Sequence, residues 1–324
     1  MVRRFKRPVI ANARPMNGNL APLVLDLDGS LRTMERSGLT RIELADWQER
    51  IRFGCTGREW RTFSAHLETL FPDVYGPVLT GSGDFHHISA LLIARQHRHT
   101  GLHVLVCDNH PDNMRFPFGI HCGSWVAHIA RMPHVACVDV IGICSPDVGW
   151  THAWENHLWP LARKRIRYWT IGAKLGWMRA LGLRDAARNF DNAKSLISAL
   201  CRELSGTHAP LYLSIDKDVL SENVARTNWD QGQMPLDGLL SIIGAAAPRL
   251  IGSDITGEVS IHRYRTHWKR WLSALDSQPG ISPGDLAHWQ RQQIEVNKVL
   301  LDALAQGQFT EETQFFRSPP RMRS

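Results

Sequence analysis

Six short apolar runs punctuate the sequence, and their continuity constrains the fold more than any other feature. They are PLVLDL (22–27), LHVLVCD (102–108), ACVDVIGIC (136–144), IRYWTIG (166–172), LYLSID (211–216) and RLIGSDI (249–255). Half-exposed strands alternate apolar and polar residues; runs that stay apolar throughout fit strands covered on both faces, as in parallel sheets. Segments long enough for crossover helices separate them. One is 184–205, with apolar residues at Ala187, Phe190, Ala193, Leu196 and Leu200. The expected fold is α/β: a three-layer αβα sandwich around a central, mainly parallel sheet. A long final helix is signalled by Ser282 as N-cap, Pro283 as its first residue and Asp285 in its first turn. Gly307 is its expected stop, with a loose tail over 308–324. No repeat or linker interrupts the pattern, so 1–324 reads as one domain.

Bulk properties exclude more than they assign. With 324 residues, 43% hydrophobic and 21% charged, the chain can bury a large core. No run approaches ~20 apolar residues, so no membrane span is expected. The basic start, MVRRFKRPVI, lacks the apolar stretch of a secretory signal. Six cysteines without a C-x-x-C pair fit reduced thiols and a cytoplasmic location. The net charge of +7 is scattered, its densest groups being RRFKR, RKRIR and RSPPRMRS. Scattered basic residues mark solvated faces rather than a nucleic-acid surface, though a positive field also favours an anionic substrate.

In open parallel sheets, ligands bind beyond the carboxyl ends of the strands. Acids stand at several of those ends: Asp26 and Asp28, Asp108, Asp147, Asp216 and Asp218, and Asp254. A single such acid is often just a helix cap. Three stretches form a richer set: GSGDFHHIS (81–89) with His86 and His87, CDNHPDN (107–113) with Asp108, His110 and Asp112, and SIDKDVL (214–220) with Asp216 and Asp218. Mixed carboxylate and imidazole donors suit Mn, Fe, Co, Ni or Zn. Two histidines and four aspartates exceed what one ion takes from protein, which points to two ions sharing carboxylates.

The order glycine-turn histidine, Asp-x-His-x-Asp, Ser-x-Asp-x-Asp resembles the ureohydrolases (arginase, agmatinase and formiminoglutamase), over roughly 78–258. The resemblance implies a binuclear manganese site, two Mn²⁺ per chain. Asp108 and Asp216 would bridge the ions. His86 and Asp112 would complete one shell, His110 and Asp218 the other, and Asp112 would also hold the bridging hydroxide. His121, in GIHCGSW, would be the proton shuttle to the leaving amine. The implied reaction is hydrolytic cleavage of a C–N bond in a small guanidino, amidino or formimino substrate. A homo-oligomer is also implied.

Departures from the family pattern are informative. Two residues are inserted in the glycine-turn motif, so His87 is an alternative to His86, which lies closer to the turn. Lys217, between two ligands, should point away from them by strand alternation. The Asp-Pro expected after Asp218 is absent. SDITGE resembles the late acidic motif that receives the guanidinium; Glu258 falls one residue late and Asp254 matches better. In CSPDVGW, Asp147 matches an acid that reads the substrate's amino group, while Trp150 stands where another acid would be expected, against free arginine. Two alternatives differ in chemistry. PLVLDLDGS (22–30) resembles the nucleophile motif of haloacid-dehalogenase-type phosphatases, with Asp26 attacking phosphorus and Asp28 as acid–base. FHHIS with Asp108 and His110 resembles a zinc deacetylase of the same architecture, in which Asp218 would be surplus.

Overall fold

A computed structural model describes residues 20–275 and 281–315. The apolar runs pair side by side. The strands are β1 Leu23–Asp26, β2 Thr40–Glu43, β3 Gly54–Thr56, β4 Val78–Leu79, β5 Leu102–Cys107 and β6 Gly119–His121. They continue with β7 Val135–Ile143, β8 Ile166–Ile171, β9 Ala187–Phe190, β10 Leu211–Asp216 and β11 Leu250–Thr256. Nine of them form one sheet in the order β2-β1-β4-β11-β10-β5-β7-β8-β9. Every pairing in it is parallel. β3 and β6 form a separate antiparallel pair.

Successive strand residues point to opposite faces, so each run feeds two apolar layers. Val104, Val106, Val138 and Val140 join one layer, which packs against the helix Gly57–Leu70. Leu105, Ile141, Leu213 and Ile215 join the other, under the helices Ala193–Ser205, Leu236–Ala246 and Pro283–Phe315. The result is the expected αβα sandwich. Among the described residues no helix is long and apolar enough to cross a membrane.

The helix starts follow local chemistry. Thr56 and Glu59 form a capping box, Asn192 accepts from Ser195 N at 2.9 Å, and Ser282 Oγ accepts from Asp285 N at 3.1 Å. Two expectations need correction. The segment 184–205 is not one helix: Ala187–Phe190 is an edge strand, and the helix begins only at Ala193. Ala187 and Phe190 lie three apart and imitate a helical face, but Phe190 instead stacks on Trp169 of β8, with ring centroids 5.8 Å apart. Nor does Gly307 stop the last helix, which runs through it to Phe315. An interior glycine costs only about 1 kcal/mol, too little by itself to end a long helix. Residues 308–315 of the expected loose tail are therefore helical, and 316–324 lie outside the described residues.

Candidate metal centre

The chain leaves β5 toward β7, β8 and β9 on one side, and later leaves β10 toward β11 on the other. β5 and β10 thus flank the point where the winding reverses, where a crevice opens beyond the carboxyl ends. Their register pairs Cys107 with Ile215, which sets Asp108 beside Asp216 at the mouth of that crevice. The turn Gly83–Ile88, following β4, brings His86 over both.

Two histidine–carboxylate groups result, and Asp108 belongs to both. His86 Nδ1 lies 3.0 Å from Asp108 Oδ2, 3.2 Å from Asp112 Oδ2 and 3.4 Å from Asp216 Oδ2. His110 Nδ1 lies 2.9 Å from Asp218 Oδ2 and 3.5 Å from Asp108 Oδ1. Candidate ligand atoms of His86, Asp108 and Asp112 fall within 4.8 Å of one another, as do those of Asp108, His110 and Asp218.

The imidazole tautomers follow from the far side of each ring. Ser214 Oγ gives its proton to Asp254 Oδ1 at 2.8 Å, so it accepts from His86 Nε2 at 3.0 Å. His110 Nε2 donates to Asp230 Oδ1 at 2.8 Å. Both neutral rings therefore carry hydrogen on Nε2 and turn the Nδ1 lone pair toward carboxylate oxygens. Lone pairs facing at 2.9–3.4 Å repel unless a proton or a cation stands between them. Asp108 Oδ2 is buried and accepts no hydrogen bond. A histidine whose second nitrogen is fixed by an oxygen acceptor is the usual form of a metal ligand.

The charges have the same pattern. Burial, followed by the charge of Asp108, pushes Asp112 and Asp218 up to about 7. Burial and then Asp218 raise Asp216 well above the carboxylate range. Against burial, neighbouring carboxylates raise both His86 and His110 well above 6.5. Asp108, between the two rings, is held low despite burial. Protons occupy the place of missing positive charge. Glycines keep the space clear, since a Cβ at Gly83 would lie 3.0 Å from Asp216 Oδ2 and one at Gly257 would strike Asp216 Oδ1. The donor set, charge and space fit two divalent transition-metal ions.

Backbone strain is confined to one of these ligands. Asp112 has φ +45°, a conformation aspartate tolerates better than most residues. Trp125 Nε1 donates to its Oδ2 at 2.6 Å, and the Trp125 ring packs 4.6 Å from His86.

The other expected site residues fall in different places. His87 is buried against Trp60, ring centroids 5.5 Å apart, and joins neither group. Asp254 is fully buried behind His86, accepting from Tyr212 OH at 2.7 Å and from Ser89 and Ser214 at 2.8 Å. Glu258 is buried on the far side of β10, paired with Lys217. His121 ends β6 beside Phe53, with Nδ1 accepting from Gly123 N at 2.9 Å; burial lowers it to about 4. Asp147 and Trp150 lie beyond β7, Asp147 half-buried and Trp150 exposed. Asp26 binds Arg41 at 3.0 Å, and Asp28 binds Ser260 Oγ at 2.7 Å and Arg52 at 3.5 Å. These two acids are committed to fixed cations and hydroxyls, unlike a phosphatase nucleophile pair.

Asp230 and Trp229, in a stretch that the sequence marks only as pocket lining, stand near the centre. Trp229 meets the His110 ring edge-on at 5.9 Å, runs parallel to Phe53 at 6.3 Å and donates to Asp84 Oδ1 at 3.2 Å. Both come from NWDQG, whose only signal was an aromatic–acid pair in a loop following the ligands. Trp125, in the quoted GIHCGSW, was equally silent about its bond to Asp112.

No protein-family model matches the chain. A protein of unassigned function from Thermotoga maritima is 28% identical over 193 residues, 59% of this chain and 62% of that protein. The match thus spans less than two thirds of the relative's length. Among solved structures, the agmatine ureohydrolase of Thermoplasma volcanium superposes with a TM-score of 0.50 at 12% identity, covering 93% of this chain and 95% of that one. A candidate agmatinase from Clostridium difficile gives a TM-score of 0.51 at 14% identity, covering 90% and 98%. At such identities the likeness is one of fold, and by fold this chain stands with the ureohydrolases.

Proposed function

We propose that the chain is a divergent ureohydrolase, a single catalytic domain that hydrolyses a C–N bond in a small guanidino, amidino or formimino compound. The observation that carries this is the pair of histidine–carboxylate groups joined through Asp108, both imidazoles turning Nδ1 inward. A one-ion deacetylase site would leave Asp218, which meets His110 here, without a task. When bound, two divalent cations, Mn²⁺ by preference, would supply Lewis-acid polarisation and lower the pKa of a bound water.

The chain's own residues hold the ions and steer the substrate. Asp108, in reach of both imidazoles, would be common to the two groups; Asp216 would serve the His86 group, and Asp112, fixed by Trp125, would accept a proton from the attacking water. His121 is neutral at neutral pH and carries its hydrogen on Nε2, so it serves the leaving amine as a hydrogen-bond donor. Asp147 and Trp150 remain the residues for the substrate's tail, and the exposed indole favours a tail unlike free arginine's.

The test is uptake of Mn²⁺ followed by a panel of guanidino, amidino and formimino compounds, agmatine included, with detection of urea, ammonia and formamide. Two ions per chain and turnover of one class are expected. A protein that takes up no divalent cation, or one that holds two and turns over nothing in the panel, refutes the proposal.

A further inference from the structure

Lys217 lies between two of the metal-ligand candidates, and its ammonium is completely buried. The backbone points it away from the centre, toward the final helix. There it pairs with Glu258 and donates to Asn297 Oδ1 at 2.8 Å, while Asn297 Nδ2 donates to Glu258 Oε1 at 2.8 Å. Each of the three groups binds the other two, and all are at most 1% exposed. One helical turn earlier, Gln293 Nε2 donates to the carbonyl of Gly257 at 2.9 Å. Gly257 has φ +89° and carries no side chain where one would collide with Asp216 Oδ1. The final helix therefore grips the end of β11 at two successive positions and the end of β10 at Lys217.

The grip has a consequence for the opposite side of the backbone. Asp216 faces His86 and Asp218 faces His110, so one residue separates carboxylates that serve different groups. Asp216 Oδ1 accepts from Asp218 N at 3.0 Å and Lys217 O from Leu220 N at 3.1 Å, so the turn is tied within itself and, through the Lys217 side chain, to the final helix. On the footing of the dinuclear function above, we infer that Lys217, Glu258 and Asn297 are positioning residues for the metal centre. They hold Asp216 and Asp218 at their separate ion positions from the far side of the sheet. Glu258, expected from sequence to meet the substrate, belongs instead to this triangle.

The test uses the full chain, stripped of metal, in calorimetric titration with Mn²⁺, and in the Co²⁺-substituted form for its visible spectrum. Asn297→Ala loosens the triangle while keeping the ion pair, and lowers Mn²⁺ affinity by about 10–100-fold, the range for outer-shell partners. Its Co²⁺ bands shift, since the ligand geometry changes. A single Glu258→Gln change leaves an ammonium buried without its partner and can prevent folding. The double variant Lys217→Met with Glu258→Gln removes both charges; its affinity stays lowered even where its melting temperature matches wild type. Wild-type affinity and Co²⁺ spectra in both Asn297→Ala and the double variant overturn the inference and leave the dinuclear function standing. Wild-type protein that binds no Mn²⁺ in the same titration overturns both.

Discussion

Two regions at the strand ends of this molecule are crowded with acids, and they are neutralised in different ways. At the end of β1, Asp26 faces Arg41, while Asp28 faces Arg52, which also binds Asp84 at 2.7 Å. Ser30, Ser82 and Ser260 satisfy the remaining oxygens of Asp28. Beyond β5 and β10, four aspartates meet two imidazoles, and among the described residues no lysine or arginine pairs with any of the four. The first arrangement is met by the chain's own arginines and hydrogen-bond donors and ties β1, β4 and the segment after β11 together. The second is short of positive charge. Acidity alone therefore does not distinguish a structural knot from a site; the counter-charge does.

The sharpest way to break this contrast is to remove one acid from the centre. Asp108→Asn takes away the residue common to both groups. We expect metal content to fall from two ions toward none, and turnover to drop by more than the 10–100-fold typical of an outer-shell loss. Stability of the metal-free protein should fall, because Asp108 is held low by His86 and His110 and asparagine gives up that favourable charge. Metal analysis and urea unfolding check both parts. Two ions retained by Asp108→Asn would show that the centre is not built as described.

The knot should lose stability and keep its metal count. Arg52→Met removes a fully buried guanidinium and its ion pairs to Asp84 and Asp28. Breaking a buried pair in this way costs about 3–5 kcal/mol. Unfolding of the metal-free variant measures it; a loss under about 1 kcal/mol would place Arg52 outside the stabilising framework. Where the variant still folds, Mn²⁺ stoichiometry should remain two.

The same contrast explains what could be read from sequence. The six ligand candidates were legible because they fall in three short stretches, two of them at the ends of apolar runs. The sheet's central strands were legible as unbroken apolar runs. β4, of two residues, and the edge strands β2 and β9, of four each, lack the length to stand out. Partners distant in sequence were hidden for another reason. Lys217 meets Asn297 across 80 residues and Arg52 meets Ser260 across 208. Only the packed fold creates those contacts, and no local periodicity encodes them. Glu258 was misleading because its motif is shifted by one residue, and Gly257 at positive φ lets the chain turn it toward Lys217.

The most direct view of the charge deficit is its pH dependence. Asp112 and Asp218 are pushed up to about 7, and His86 and His110 well above 6.5. Unfolded, these groups titrate near 3.9 and 6.5, so the folded metal-free chain holds the extra protons. Stability from such groups is complete at low pH and is lost as pH rises through the folded values. Between about pH 4 and 7, each of the two aspartates therefore makes the metal-free fold less stable as pH rises. Asp108, held low, has the opposite sign, but its window lies below about pH 4. Mn²⁺ displaces these protons, so its apparent affinity should climb over the same range and the loaded protein should lack the decline. Urea unfolding of stripped and loaded protein at pH 5, 6, 7 and 8 separates the curves. Parallel curves would mean that protons do not stand in for a cation, and the contrast with β1, whose arginines stay charged throughout, would collapse.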